Sequence, residues 1–213
     1  QKTYAIPTAG VSCAGGDFTL HWNPDFVGKL TTKKVFGLLK HECYHLIYQH
    51  CTSRMQKPHL MWNIATDLAI NCTLCKTELP DGGLVPGQPI QQSGEVSYLP
   101  EAMHKQLRKL SSFIESLPPS KSSEWYMESI MNDNDVQQAI RDCMGPKSIM
   151  MGGADDGNGS GGSGQAGTCA GFDYHFENDD MPEGEKAMID AKVQSIIEKA
   201  ATRAERNNSW GSI

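Results

Sequence analysis

Thr31-Thr32-Lys33-Lys34-Val35-Phe36-Gly37-Leu38-Leu39-Lys40-His41-Glu42-Cys43-Tyr44-His45-Leu46-Ile47 reads as one helix. Thr31 and Thr32 can cap its N-terminus. Val35, Phe36, Leu38, Leu39, Cys43, Leu46 and Ile47 recur at helical spacing, so this stripe is expected in the core. His41 and His45 stand four residues apart, which on a helix means about 40° in azimuth and one turn in height, so both imidazoles can converge on one ion. Neutral imidazole suits zinc, and two histidines with one more protein ligand leave a position for water. Glu42 is turned by about 100° from His41, which aims it at that water as a general base. Zinc lowers the pKa of bound water to about 7 and polarises carbonyl oxygens, so the pattern serves amide hydrolysis. With seven histidines in 213 residues, the chance expectation for the pattern is roughly 0.013, and composition does not account for it.

The third ligand is sought downstream. His50 lies nine residues after His41, about 180° round a continuing helix, and reads as a structural residue beside the site. Trp62-Asn63-Ile64-Ala65-Thr66-Asp67-Leu68-Ala69-Ile70-Asn71 is a largely apolar helix with Asn63, Asp67 and Asn71 at four-residue steps. A polar stripe on a buried helix needs partners, and an Asp in it needs a cation or an Arg. Asp67 is therefore the expected third metal ligand, with an ion pair to Arg54 as the ordinary alternative. Asn63 and Asn71 are expected to orient ligands or backbone.

These residues carry a resemblance. Trp22-Asn23-Pro24-Asp25-Phe26, His41-Glu42-Cys43-Tyr44-His45 with His50 and Arg54, Trp62 to Asn71, and Leu79-Pro80-Asp81-Gly82-Gly83-Leu84 together resemble the putative metallopeptidase domain family of bacterial and phage proteins. Glu124-Trp125-Tyr126 is similar to the family's short aromatic helix, and the Gly-rich acidic stretch ending near His175 is similar too. The likeness is specific between Phe18 and Gly87 and loose beyond. It implies a zincin-like fold and peptidase chemistry, and a neighbouring von Willebrand A-like domain and a ring-forming AAA ATPase as partners. No complete von Willebrand A-like domain fits within the chain.

Composition bounds the rest. A length of 213 residues with 38% hydrophobic and 21% charged residues is enough for one globular domain with a core. A net charge of −6 argues against broad nucleic-acid or acidic-membrane binding. There is no apolar run of 18 residues and no signal peptide. Seven cysteines, an odd number, read as free thiols in a reducing cytoplasm, of a bacterial cell or a phage-infected host. Cys72 and Cys75 have metal and redox spacing but no second pair, and read as helix-end packing. Cys43, roughly 200° from His41, is expected to face the core.

Phe18 to Trp22 alternates between Gly15-Gly16 and Asn23-Pro24 and reads as a strand. The resemblance implies that it can bind an extended peptide beside the metal, and its plainer role is to pack on the active-site helix. Beyond Gly87, helices are expected over Pro100 to Ser116, Ser123 to Met131 and Val136 to Met144. Residues 152–171 contain nine Gly, and residues 173–185 contain six acids with no Lys or Arg, a loop read as a solvated excursion. Tyr174 and His175 follow it as candidate oxyanion donors, with His175 an alternative third ligand. Glu183 to Arg206 is an amphipathic helix with Ala187, Met188, Ala191, Val193, Ile196, Ile197 and Ala200 on its apolar side.

The sequence thus predicts a single α+β domain over 1–213, zincin-like, with a small sheet on an active-site helix, a Gly-rich acidic loop over 152–185 and a C-terminal helix over 183–206. His41, His45 and Asp67 are expected to hold Zn2+ and Glu42 to activate water, as in a zinc metalloendopeptidase of protein or peptide substrates. The alternative is a non-catalytic, metal-stabilised scaffold for the von Willebrand A-like and ATPase partners. No nucleic acid or membrane partner is expected.

Overall fold

The computed structural model describes residues 1–90, 101–144, 174, 176 and 181–206. The chain opens with a hairpin of β1 (Ala9–Ala14) and β2 (Asp17–Trp22), antiparallel in the register Ala9 to Trp22 through Ala14 to Asp17. Gly15 and Gly16 form its two-residue turn with φ of 64° and 73°, a conformation that glycine adopts without steric cost. Among the described residues, helices follow as α1 (Pro24–Val27), α2 (Thr32–Ile47), α3 (His59–Asn71), α4 (Glu101–Ser116), α5 (Ser123–Met131), α6 (Asn134–Met144) and α7 (Glu183–Arg206). The result is an α+β arrangement with a two-stranded sheet. The Gly-rich loop expected over 152–185 lies almost wholly outside the described residues.

Capping starts α2 where the sequence expects it. The Thr31 side chain accepts from Lys34 N at the start of α2. The helix stops at Tyr48, and Gln49 takes φ 59°, which reverses the chain. Two packing layers hold α2. On one side, Met61, Trp62, Ile64, Ala65 and Leu68 of α3 join Leu110 and Ile114 of α4, Tyr126 and Ile130 of α5 and Ile140 of α6 in the largest apolar cluster. On the other, Val11 and Cys13 of β1 pack with Ile189 and Val193 of α7.

The helix α2 departs from expectation in its orientation. Its buried residues are Gly37, Leu38, His41, Glu42 and His45, whereas Phe36 (56%), Leu39 (40%) and Ile47 (42%) are exposed, as is Cys43. The polar face is inside, because it is the face that meets Asp67 and Asn71 of α3. In α7 the buried positions are Ile189 and Val193. Met188 and Ile196, expected on the apolar side, are exposed at 62% and 47%, and Ala187, Ala191 and Ala200 are also exposed. A 24-residue helix touching a six-residue strand and the end of α2 needs only a narrow stripe.

Close approach sets a constraint at one helical position. A Cβ on Gly37 would lie 1.9 Å from the backbone oxygen of Glu78, so the segment after α3 passes directly against α2. Two ion pairs flank this crossing, Lys40 to Glu78 at 2.7 Å and Lys34 to Asp81 at 2.6 Å. Gly37→Ala is expected to destabilise the protein by about 2 kcal/mol or more, although Ala favours an isolated helix by about 1 kcal/mol. Urea unfolding of the two proteins measures the sign, and a more stable Gly37→Ala protein would contradict the crossing geometry.

Candidate metal centre

Helical spacing and the α2–α3 crossing bring three side chains to one point. Among the described residues, His41, His45 and Asp67 form a group whose candidate ligand atoms all lie within 4.8 Å of one another. The Nε2 atoms of His41 and His45 are 2.9 Å apart. Asp67 Oδ1 is 3.7 Å from His41 Nε2 and 3.5 Å from His45 Nε2. Adjacent donors around a tetrahedral zinc with bonds of 2.0–2.1 Å stand about 3.3 Å apart. The three edges bracket that value, and two imidazoles with one carboxylate are a donor set such an ion takes. The residues present therefore fit a divalent cation.

Burial and orientation strengthen the fit. His41 is 0%, His45 2% and Asp67 5% exposed. A carboxylate so enclosed is costly unless positive charge compensates it. Arg54, the ordinary partner considered for Asp67, instead holds Glu124, with Nε 3.0 Å and Nη2 2.5 Å from Oε1. His41 Nδ1 is 2.9 Å from Asn71 Oδ1, and Asn71 Nδ2 donates to Leu84 O at 3.0 Å. The Leu84 bond fixes which end of the amide faces His41, so Nδ1 carries the proton and Nε2 keeps its lone pair for the shared centre.

Glu42 is 3% exposed, in the turn between the two histidines. Its negative charge reaches Cys43, whose thiol is held above its ordinary pKa first by partial burial and then by that carboxylate. Cys43 is thereby a poor thiolate. His50 stands beside the centre because α2 has ended: its ring packs edge-on against His45 with centroids 5.4 Å apart, and its Nε2 is 2.9 Å from Ser123 Oγ. The 180° azimuth that assumed a continuing helix does not apply. Ser123 was not singled out from the sequence, where only its place at the start of a short helix was visible.

The remaining expected positions fall elsewhere. Asn63 is half-buried, and its backbone oxygen accepts from Thr66 Oγ1 at 2.8 Å. Cys72 caps α3 and donates to Leu68 O at 3.0 Å, as helix-end packing requires. Cys75 is exposed, and its thiol is pulled below its ordinary pKa by hydrogen bonding to Thr77. Tyr174 lies against β1, its N donating to Ala9 O at 2.5 Å and its ring 5.0 Å from that of Phe176. His175 lies outside the described residues. Among the described residues, no helix is long and apolar enough to cross a membrane.

Comparison with known proteins agrees with the site. The chain matches the family described as Putative metallopeptidase domain over residues 2–210. It is also similar to an uncharacterized protein of Thermotoga maritima, 36% identical over 58 residues, which is 26% of this chain and 15% of that protein. The matched region thus spans a small part of that relative's length. No solved structure matches the chain.

Losing a donor and losing a donor's anchor should weaken metal binding to different degrees. Asp67→Ala removes one of three converging donors and is expected to weaken zinc binding severely, by at least about 100-fold, in competition with a chromogenic chelator. Asn71→Leu leaves all three donors in place and is expected to lower affinity by about 10–100-fold through loss of the His41 anchor. Unchanged affinity in Asp67→Ala would remove that residue from the centre.

Proposed function

The chain belongs to the Putative metallopeptidase domain family, and from that premise we propose that it is a zinc endopeptidase of the His-Glu-x-x-His type. Family and site together support a metal-dependent peptidase in general. The convergence of His41, His45 and Asp67 around one buried point, with Glu42 in the intervening turn, carries the finer reading.

In this reading His41 Nε2, His45 Nε2 and an Asp67 carboxylate oxygen hold the cation. Once bound, a zinc ion supplies Lewis acidity at neutral pH, acidifying water and polarising a carbonyl. Glu42 takes a proton from the water that attacks the scissile carbonyl carbon and then delivers it to the departing amine nitrogen. Asn71 holds the His41 ring against rotation through Nδ1–H, and Leu84 O holds Asn71. The buried packing of His50 against His45 restricts the second ring.

The exposed apolar side chains Phe36 and Ile47 favour a second reading. The chain would then be a metal-stabilised docking module for a von Willebrand A-like domain and an AAA ATPase, with Glu42 dispensable. Glu42→Gln separates the two. The peptidase reading expects zinc stoichiometry and fold to persist while cleavage of an unstructured protein such as casein falls by roughly 100-fold to 10,000-fold. Cleavage at the wild-type rate by the zinc-loaded Glu42→Gln protein would contradict it.

A further inference from the structure

Three segments that carry no expected metal ligand, β1, the turn after α2 and α7, meet at a pair of thiols. Cys13 of β1 is 1% exposed, and with Val11 of the same strand it packs against Ile189 and Val193 of α7. Cys51 is half-buried and packs against this same cluster, as does Leu46 of α2. The Cys51 thiol donates a hydrogen bond to the Cys13 sulfur. Both sides of this contact are fastened to α7. Asp190 accepts from Thr52 Oγ1 at 2.5 Å and from Ser53 Oγ, the two residues that follow Cys51. At the hairpin turn, Glu185 Oε1 accepts from Gly16 N at 3.2 Å.

Apolar surroundings ordinarily raise the pKa of a thiol and leave it inert. Cys13 departs from that pattern. Its thiol is held below its ordinary pKa chiefly by the hydrogen bond from Cys51, which outweighs burial and the repulsion of the Asp190 and Glu185 carboxylates. The pair thus joins a half-exposed sulfur, within reach of a small oxidant, to an enclosed sulfur with thiolate character that can displace oxygen from it. Cys43, Cys72 and Cys75 stand in other surroundings. Burial holds the Cys43 thiol above its ordinary pKa, Cys72 Sγ donates to Leu68 O at 3.0 Å, and Cys75 Sγ lies 3.2 Å from Thr77 Oγ1.

We propose that Cys13 and Cys51 are a modification site, at which hydrogen peroxide forms a reversible disulfide that fastens the hairpin to the turn after α2. The Cys51 sulfur attacks the peroxide and its O–O bond breaks, leaving a sulfenic acid on Cys51 and releasing one water. The Cys13 sulfur then attacks the Cys51 sulfur, and the hydroxyl leaves with the remaining thiol proton as a second water. The two thiols lose two protons and two electrons, which the peroxide takes up. A small thiol reverses the bond by exchange. The bond closes a loop of about 40 residues that contains all of α2, and so restricts the unfolded chain. It also tethers the turn that holds His50 against His45. The site stands independently of the peptidase reading.

The test treats the reduced full chain with hydrogen peroxide, alkylates the remaining thiols under denaturing conditions and maps peptides without reductant. A peptide containing Cys13 is expected to be joined to one containing Cys51, lighter by two hydrogens, and to separate again after dithiothreitol. The joined protein is expected to melt at least about 5 °C above the reduced one. Cys51→Ala is expected to give neither the joined peptide nor the gain in Tm on oxidation, and Cys75→Ser to keep both. Alkylated Cys13 and Cys51 after peroxide has oxidised the exposed Cys75, a bridge between other cysteines, or an equal Tm for joined and reduced protein would overturn the proposal. The wild-type peptide map decides the pairing even where Cys51→Ala does not fold.

Discussion

A carboxylate enclosed between two imidazoles organises this protein. Asp67 projects from α3 toward the His41 and His45 rings of α2, 3.7 Å and 3.5 Å from their Nε2 atoms, at 5% exposure. Such a group stays inside only where charge compensates it, and a cation shared by all three side chains would do so. The requirement propagates outward. The two helices must cross closely enough for the donors to meet, which brings Glu78 O to a point where only glycine fits at position 37. It also demands that the His41 ring hold one tautomer, which Asn71 and Leu84 O enforce.

The rest of the architecture allows this polar face to be buried. Helices α3 to α6 carry the main apolar cluster, so α2 need not contribute its own greasy stripe to the interior. On the far side, α7 fastens the turn after α2 to the hairpin. Asp190 accepts from Thr52 Oγ1 at 2.5 Å and also from Ser53 Oγ, and Lys192 pairs with Asp17 at 2.6 Å. The hairpin is thereby held over α2, where Ala9, Leu20 and Trp22 line an apolar recess with Val27, Val35, Leu38 and Leu39. His41 and His45 face Asp67 of α3, while Val35, Leu38 and Leu39 face the sheet.

Much of this was legible in the sequence where local chemistry dominates. The His-Glu-x-x-His spacing, the polar stripe of α3, the caps and the limits of α5 and α7 are short-range properties of residues that behave alike in most surroundings. The failures share a physical cause. Helical periodicity separates an apolar face from a polar one but does not say which is inside, and at a metal site the usual assignment inverts. Phe36, Leu39, Cys43 and Ile47 were expected in the core and face outward because His41, Glu42 and His45 took the interior. His50 was read as a structural residue beside the site and packs against His45, brought there because the helix ends at Tyr48. Strand β1 went unread because Ala9, Gly10 and Ser12 are weak strand formers, although Val11 and Cys13 alternate before a Gly-Gly turn. The recess could not be read at all, since its walls come from four successive elements, β1, β2, α1 and α2, whose packing is a tertiary property.

Zinc-edge X-ray absorption on the full chain loaded with one equivalent of zinc tests the central claim most directly. The account expects a four-coordinate spectrum with nitrogen and oxygen ligands only, at about 2.0–2.1 Å, the scattering of two imidazoles, and one oxygen that exchanges with solvent. A sulfur ligand at about 2.3 Å, a third imidazole, or failure to retain one equivalent of metal would contradict it.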